Sequence, residues 1–261
     1  MEAIQSQYFK KGYAVEYSSE VSHLCQNSLE LLAKILNRNS SDLNELEAGL
    51  KALFRNREKY IGLLKAFASS TEILQFTTSE AIISACRNIG IKVPTLATTP
   101  VLHVVSEDLV IDYDKVFTPP HQDVVSTKGS INQCVVWIPL HKINQANYGM
   151  FFYEGSHRNG VLPTDYSSFG HTVKKEFIPA NPAVYAEMVQ GEFALFSKYL
   201  VHYTSNQGRF RLAVSFRFND MEDINWQNRN FFTPFTRGYD NSSYEDGREK
   251  IDEISSEYFS Q

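Results

Sequence analysis

Apolar residues along this chain follow two rhythms that meet near residue 95. Between about residues 20 and 90 they recur at helical spacing, most clearly at Leu43, Leu46, Leu50 and Leu53, with Asp42 and Glu45 placed as a capping-box pair. Tyr60 through Phe67 and Ala81 through Ile89 repeat that rhythm, and Gly90 stands where a helix would end on a left-handed residue. From Pro100 onward the runs are short and β-like, at 101–105, 109–113, 134–140, 150–153, 192–196 and 210–218. Between them lie turn formers such as Pro119-Pro120, Lys128-Gly129, Asn159-Gly160 and Asn206-Gln207-Gly208. Helices followed by many short strands predict an α+β or mainly β fold, a sandwich or barrel buttressed on one face by the helical part. The expected organisation is one domain over 1–261: a mainly helical part to about 95, a β core over about 96–218, and a polar, aromatic-rich segment from 219 serving as lid or docking segment.

Composition narrows the partners. Lys and Arg number 25 against 30 Asp and Glu, a formal charge of -5, so no global positive field is available for nucleic acid or an anionic membrane. A small molecule is the expected partner. No run approaches the roughly 20 apolar residues a membrane helix needs, and the opening MEAIQSQYFKKGY lacks the apolar core of a signal peptide. A soluble, cytoplasmic protein is therefore expected. Cys25, Cys86 and Cys134 are scattered without CxxC spacing, which reads as three buried small hydrophobes rather than a zinc finger or a disulfide framework.

The candidate chemistry begins at His121-Gln122-Asp123. In extended backbone, residues i and i+2 face the same way, so the imidazole and the carboxylate could grip one metal ion from one side. A third ligand has to come from another strand, and His202 lies between two apolar β-like runs about 80 residues on. Two histidines and one carboxylate on one face leave three positions open, the arrangement of Fe(II) oxygenases. Arg211 follows nine residues later; if a tight turn at 206–208 joins two antiparallel strands, its guanidinium returns beside His202, where it can hold a carboxylate through two hydrogen bonds. Arg209 shares that parity but falls closer to the turn. His157, His141 and His171 read as structural or surface residues, and Phe231, Phe232 and Phe235 as a cluster that could line a pocket. A metal-binding β-helix protein, or a cupin-type hydrolase or isomerase, is the competing reading; the latter would be expected to carry further His or Glu ligands near the HxD motif.

These segments resemble a known family. HQD at 121–123, VVWIPL at 135–140, the stretch from Gly149 to His157 ending in EGSH, GEFALF at 191–196 and HYTSNQGRFRLAVSFRF at 202–218 look like the phytanoyl-CoA dioxygenase family of Fe(II)/2-oxoglutarate oxygenases. YFKKGYAV at 8–15 is similar to that family's opening strand. The resemblance implies a double-stranded β-helix core, with Fe(II), 2-oxoglutarate and O2 as cofactor and cosubstrates, and oxidation of a small organic molecule, by default hydroxylation. By the same resemblance His121, Asp123 and His202 are the iron ligands, Arg211 and Thr204 meet the distal carboxylate of 2-oxoglutarate, Trp137 flanks it, and the Gly-Ser-His turn shapes the rim. A halogenase of this kind lacks the carboxylate ligand, so Asp123 argues against halogenation. The polar group for the C1 carboxylate stays open among His103, Ser106, Lys115 and Gln133, with Gln133 favoured because it shares strand parity with Trp137.

Overall fold

The structure, a computed structural model, describes residues 3–232. The helical part comprises α1 (Ile4–Lys11), α2 (Ser19–Ile35), α3 (Leu43–Phe54), α4 (Arg57–Ala68), α5 (Thr71–Leu74) and α6 (Glu80–Asn88), interrupted early by strand β1 (Tyr13–Tyr17). After β2 (Pro94–Val105) come the short helices α7 (Tyr113–Val116) and α8 (Val124–Thr127). Strands β3 (Cys134–Pro139), β4 (Met150–Phe152), β5 (Thr164–Tyr166), β6 (His171–Val173), β7 (Val184–Tyr185), β8 (Glu192–Ser197), β9 (His202–Thr204) and β10 (Arg211–Asp220) follow, and α9 (Ile224–Asn228) closes the described chain.

The helical rhythm maps onto α3, α4 and α6. Asp42 caps α3 by accepting from the Asn44 amide at 2.8 Å, and Leu46 and Leu50 bury the inner face. The reciprocal half of the expected capping box is not made: Glu45 lies 3.6 Å from the Arg38 guanidinium instead. Gly90 follows α6 at φ 99°, the left-handed ending its position suggested. The segment resembling an opening strand divides in two. Tyr8 to Lys11 finish α1, Gly12 turns the chain at φ 88°, and β1 starts at Tyr13. The expected strand at 109–113 is absent, because Ser106 accepts from the Asp108 amide and starts a tight 3-10 turn over Glu107–Leu109 that buries Leu109; α7 then follows.

Two antiparallel sheets make the core. The larger has the order β1-β8-β3-β10-β2 and the smaller β7-β4-β9. Alternation along the central strand β10 sends Leu212, Val214, Phe216 and Phe218 into a core shared with the helices, including Leu29, Phe76 and Ile82. Its other face carries Arg211, Ala213, Ser215 and Arg217. On that inner side Ala213 packs with Val135 and Trp137 of β3, Ala194 and Phe196 of β8, and Met150 and Phe152 of β4. The sheets thus face each other, with the helices on the outer face of the larger one. This is the double-stranded β-helix, and apolar burial on both faces of β3, β8 and β10 is what holds it together.

One expected connection differs. Strands β9 and β10 do not form a hairpin: β9 pairs with β4, while β10 pairs with β3 and β2. The 205–210 segment crosses from the smaller sheet to the larger one, with Gly208 at φ 144° passing so close to the backbone of Asn147 and Tyr148 that a Cβ would collide with it. Arg211 therefore reaches the site from the opposite sheet and not from beside His202.

Candidate metal centre

His121 and His202 form an antiparallel bridge, each donating its amide to the other's carbonyl at 3.0 and 3.1 Å, which adds the 121 segment to the smaller sheet beside β9. Each imidazole is fixed through Nδ1, that of His121 2.7 Å from the Pro119 carbonyl and that of His202 2.9 Å from the Leu200 carbonyl. With Nδ1–H donating to a carbonyl, both Nε2 lone pairs are free for a metal. Asp123 does not sit on the same extended strand. Its backbone has already turned helical, at φ -70° and ψ -24°, at the start of α8, and that turn swings the carboxylate back toward the imidazoles. Asp123 Oδ1 lies 3.6 Å from His121 Nε2 and 4.0 Å from His202 Nε2. Donor atoms of the three residues all fall within 4.8 Å of one another, close enough to share one ion.

Gln122 points the other way and locks the turn. Its buried amide donates to the carbonyls of Gly160 and Tyr199 and accepts from the Leu162 amide. Ser156, in the Gly-Ser-His turn, accepts from the Val201 amide at 2.9 Å and so steadies the approach to His202. His157 is not near the triad; its Nε2 lies 3.1 Å from the Phe9 carbonyl and ties the turn to α1. His141 is also structural, accepting from the Leu212 amide through Nε2.

Electrostatics favour the ligating forms. Burial pushes His202 down to about 3, helped by the neighbouring His121, so His202 is neutral at physiological pH. Burial alone would raise the Asp123 carboxyl; the Arg217 guanidinium, with the neighbouring imidazoles, outweighs it and holds Asp123 well below the usual carboxylate range. Arg217 grips Asp123 Oδ2 through Nε at 2.8 Å and Nη2 at 2.6 Å. Sequence reasoning missed Arg217, although the alternation 211, 213, 215, 217 along RFRLAVSFRF carries the signal.

The triad opens into a cavity of about 280 Å³ whose walls include His103, Thr118, Trp137, Phe169, Thr204, Arg211, Ser215 and Arg217. Arg211 is buried and its guanidinium lies over the Trp137 ring. Nη1 donates to the Tyr148 carbonyl at 2.6 Å, while Nε has no partner, and no carboxylate among the described residues pairs with it. Burial pushes this guanidinium down to about 9, still charged at neutral pH. Arg209, by contrast, is exposed and reaches Glu47 at 3.8 Å. Thr204 Oγ1 shares a hydrogen bond with Thr118 Oγ1 at 2.9 Å in the cavity wall. The structure thus brings His121, Asp123, His202, Trp137, Thr204 and Arg211 to one cavity.

Gln133 is not among the lining residues. It precedes β3, in the turn at 131–133, so strand parity does not apply to it, and its amide donates to Asn219 Oδ1 at 2.6 Å. Ser106 is engaged with Glu47. The Lys115 side chain and Phe235 lie outside what is described. His103 lines the cavity, 2.8 Å from the Ser215 hydroxyl. Phe169, at the tip between β5 and β6, stands edge-on to His121 with ring centres 4.5 Å apart; nothing in the local pattern pointed to it. Phe231 packs on Trp226 beside α9, and Trp226 donates to the Phe232 carbonyl, so these aromatics close a small local core. The three cysteines are free and buried, as expected. Among the described residues no helix is long and apolar enough to cross a membrane.

A double-stranded β-helix with two histidines and an aspartate converging between its sheets defines the class. The chain belongs to the phytanoyl-CoA dioxygenase family: the family model for phytanoyl-CoA dioxygenase matches residues 33–210. Members of that family use Fe(II), 2-oxoglutarate and O2. A curated relative, a probable phytanoyl-CoA dioxygenase of Caenorhabditis elegans, is 24% identical over 179 residues, covering 63% of this chain and 56% of that protein. The chain therefore spans little more than half of that relative's length. Among solved structures, the epimerase SnoN in complex with Fe3+, alpha-ketoglutarate and nogalamycin RO is similar at TM-score 0.58 and 16% identity, over 83% of this chain and 82% of that one. The non-heme monooxygenase ThoJ in its nickel complex matches at TM-score 0.56 and 14% identity over 98% of both chains. EctD from S. alaskensis with 2-oxoglutarate and 5-hydroxyectoine matches at TM-score 0.56 and 12% identity, over 84% of this chain and 76% of that one. At such identities the likeness is one of fold.

Proposed function

We propose that this chain is an Fe(II)- and 2-oxoglutarate-dependent oxygenase that hydroxylates an unactivated C–H bond of a small organic molecule, with release of succinate and CO2. The observation that carries the reading is Arg211: a buried cation with an unpartnered Nε and no described carboxylate beside it, in the same cavity as the triad. A buried charge without a counter-ion is costly, and a dicarboxylic cosubstrate offers one. A binding protein or a hydrolase built on the same triad gives Arg211 no task.

On this reading His121, Asp123 and His202 hold Fe(II), and Nδ1 of each imidazole stays on its carbonyl so that Nε2 keeps facing the ion. Arg211, with Thr204 at its side, takes the distal carboxylate of 2-oxoglutarate, and Trp137 walls the cosubstrate. His103 with Ser215 is the polar pair assigned to the C1 end. Iron, 2-oxoglutarate and O2 together supply the oxidising chemistry, splitting the oxo-acid to succinate and CO2 while one oxygen atom goes to the substrate. The protein orients the reactants and keeps water out, with Phe169, Met150, Phe196 and Val116 as the apolar walls near the triad. Because Asp123 occupies the carboxylate position, halide coordination has no vacancy there, and hydroxylation is preferred to halogenation. The setting on this reading is the cytoplasm, where Cys25, Cys86 and Cys134 stay reduced.

The reading is tested by incubating Fe(II)-loaded protein with 2-oxoglutarate and panels of small metabolites under 18O2. Substrate-dependent succinate with one 18O atom in the product supports hydroxylation. Succinate coupled to desaturation or inversion of the substrate, without label, would keep the cosubstrate and replace the outcome.

A further inference from the structure

Arg217 uses both Nε and Nη2 on a single oxygen of Asp123, Oδ2, at 2.8 and 2.6 Å. The other oxygen, Oδ1, faces the two imidazoles at 3.6 and 4.0 Å. The two oxygens of one carboxylate are thus assigned to different partners, and the partner on Oδ2 is a charged fork on a central strand. Arg217 comes from β10, where it pairs in register with Val135 of β3, so its backbone is fixed from the larger sheet. Asp123 rides on the first turn of α8 beside the smaller sheet. The contact therefore ties β10 of the larger sheet to the turn that carries Asp123 at the metal end of the cavity, while Arg211, farther along β10, reaches the Tyr148 and Gly149 carbonyls beside β4 and leaves Nε free.

The count of coordination positions gives this contact a purpose. Two imidazoles and one carboxylate oxygen fill three of six positions on an octahedral ion and leave three open. A carboxylate chelating through both oxygens fills four, so its second oxygen competes with the oxo-acid for one of the three open positions, and an oxo-acid confined to the two left leaves none for O2. We propose that Arg217 is a positioning residue that keeps Asp123 a one-oxygen ligand and thereby reserves the coordination positions the cosubstrate requires. This inference rests on the oxygenase reading above. Its specific consequence is that loss of Arg217 harms cosubstrate chelation more than metal binding, since a freed Asp123 can still bind metal, and through both oxygens.

The test uses the full chain, anaerobically, with wild type, Arg217→Met and Arg217→Lys. Folding is monitored by circular dichroism, Fe(II) affinity by competition with a chromogenic chelator, and 2-oxoglutarate affinity at saturating Fe(II) by the visible absorption of the chelate. Losing an outer partner of a metal ligand typically costs about 10- to 100-fold in metal affinity or activity. Here a loss of that size is expected in 2-oxoglutarate affinity for Arg217→Met, with Fe(II) affinity within about tenfold of wild type and a shifted chelate band. Arg217→Lys, which keeps the charge on Oδ2 but not the fork, should recover part of the loss. Should Arg217→Met not fold, a several-fold weaker 2-oxoglutarate affinity in Arg217→Lys carries the inference alone. Unchanged 2-oxoglutarate affinity and band in the folded variants overturn it, as does a loss confined to Fe(II). If wild type itself does not bind 2-oxoglutarate, the oxygenase reading fails, an outcome distinct from these.

Discussion

The guanidinium carbon of Arg211 lies 5.7 Å from the centre of the Trp137 ring, and its one short contact is with the Tyr148 carbonyl. Stacking and backbone carbonyls stabilise the cation only partly, so on the proposed reading Arg211 awaits an anion and burdens the protein without one. Replacing it by Met should cost 2-oxoglutarate affinity about tenfold or more, since a hydrogen-bonded charge pair contributes roughly 1.5–3 kcal/mol. The apoprotein should be as stable as wild type, or more so, by chemical denaturation. A variant that loses stability while keeping 2-oxoglutarate affinity would show that Arg211 is a structural cation.

Gln122 separates two of the proposed ligands and makes three hydrogen bonds, two fully buried to Gly160 and Tyr199 and one part-buried with Leu162. Gln122→Leu keeps the volume and removes all three, leaving buried backbone groups unpaired. At about 1 kcal/mol or more for each bond, the expected loss is about 3 kcal/mol in urea unfolding. Metal affinity should fall with it, because the turn that carries Asp123 back toward His121 loses its anchor. Unaltered stability would place the rigidity of the HxD turn elsewhere.

Buried histidines set the acid limit of the apoprotein. Burial pushes His202 and His103 down to about 3 and His141 down to about 4. Their folded pKa values lie below the unfolded value, so the stability they contribute is complete above about pH 6.5 and is lost as pH falls toward 3–4. Each proton taken up only by the unfolded chain costs about 1.4 kcal/mol per pH unit. Asp123 adds a second loss only below the ordinary carboxylate range. Melting temperature should therefore decline between pH 6.5 and 4.5, before carboxylates titrate, and bound metal should delay the decline by holding His202 neutral. A flat profile over that window contradicts the burial of these imidazoles.

Much of this arrangement was legible in the sequence wherever one periodicity spoke alone. Leu46 and Leu50 mark α3, and alternation along β10 separates Leu212 and Val214 from Arg211 and Ser215. The site residues on long strands were readable for the same reason. What was hidden depended on how the chain crosses between sheets. Gln133 shares parity with Trp137 by count but stands in the turn before β3, where alternation has not begun. Asp123 reaches the imidazoles by turning into α8 and not by strand alternation. Arg211 approaches from the facing sheet because β9 and β10 do not pair. Strands β5 to β7 are two or three residues long and partly exposed, so they lack the apolar run that would announce them, and with them went Phe169.

The central claim is that the triad and Arg211 together bind one metal-chelated dicarboxylate. Anaerobic titration of Fe(II)-loaded protein with 2-oxoglutarate, followed through the weak visible charge-transfer band, addresses it most directly in wild type, Asp123→Ala and Arg211→Ala. The account predicts a saturable band in wild type that weakens in both variants, through lost metal in the first and lost cosubstrate affinity in the second. No band and no 2-oxoglutarate affinity in Fe(II)-loaded wild type would contradict it.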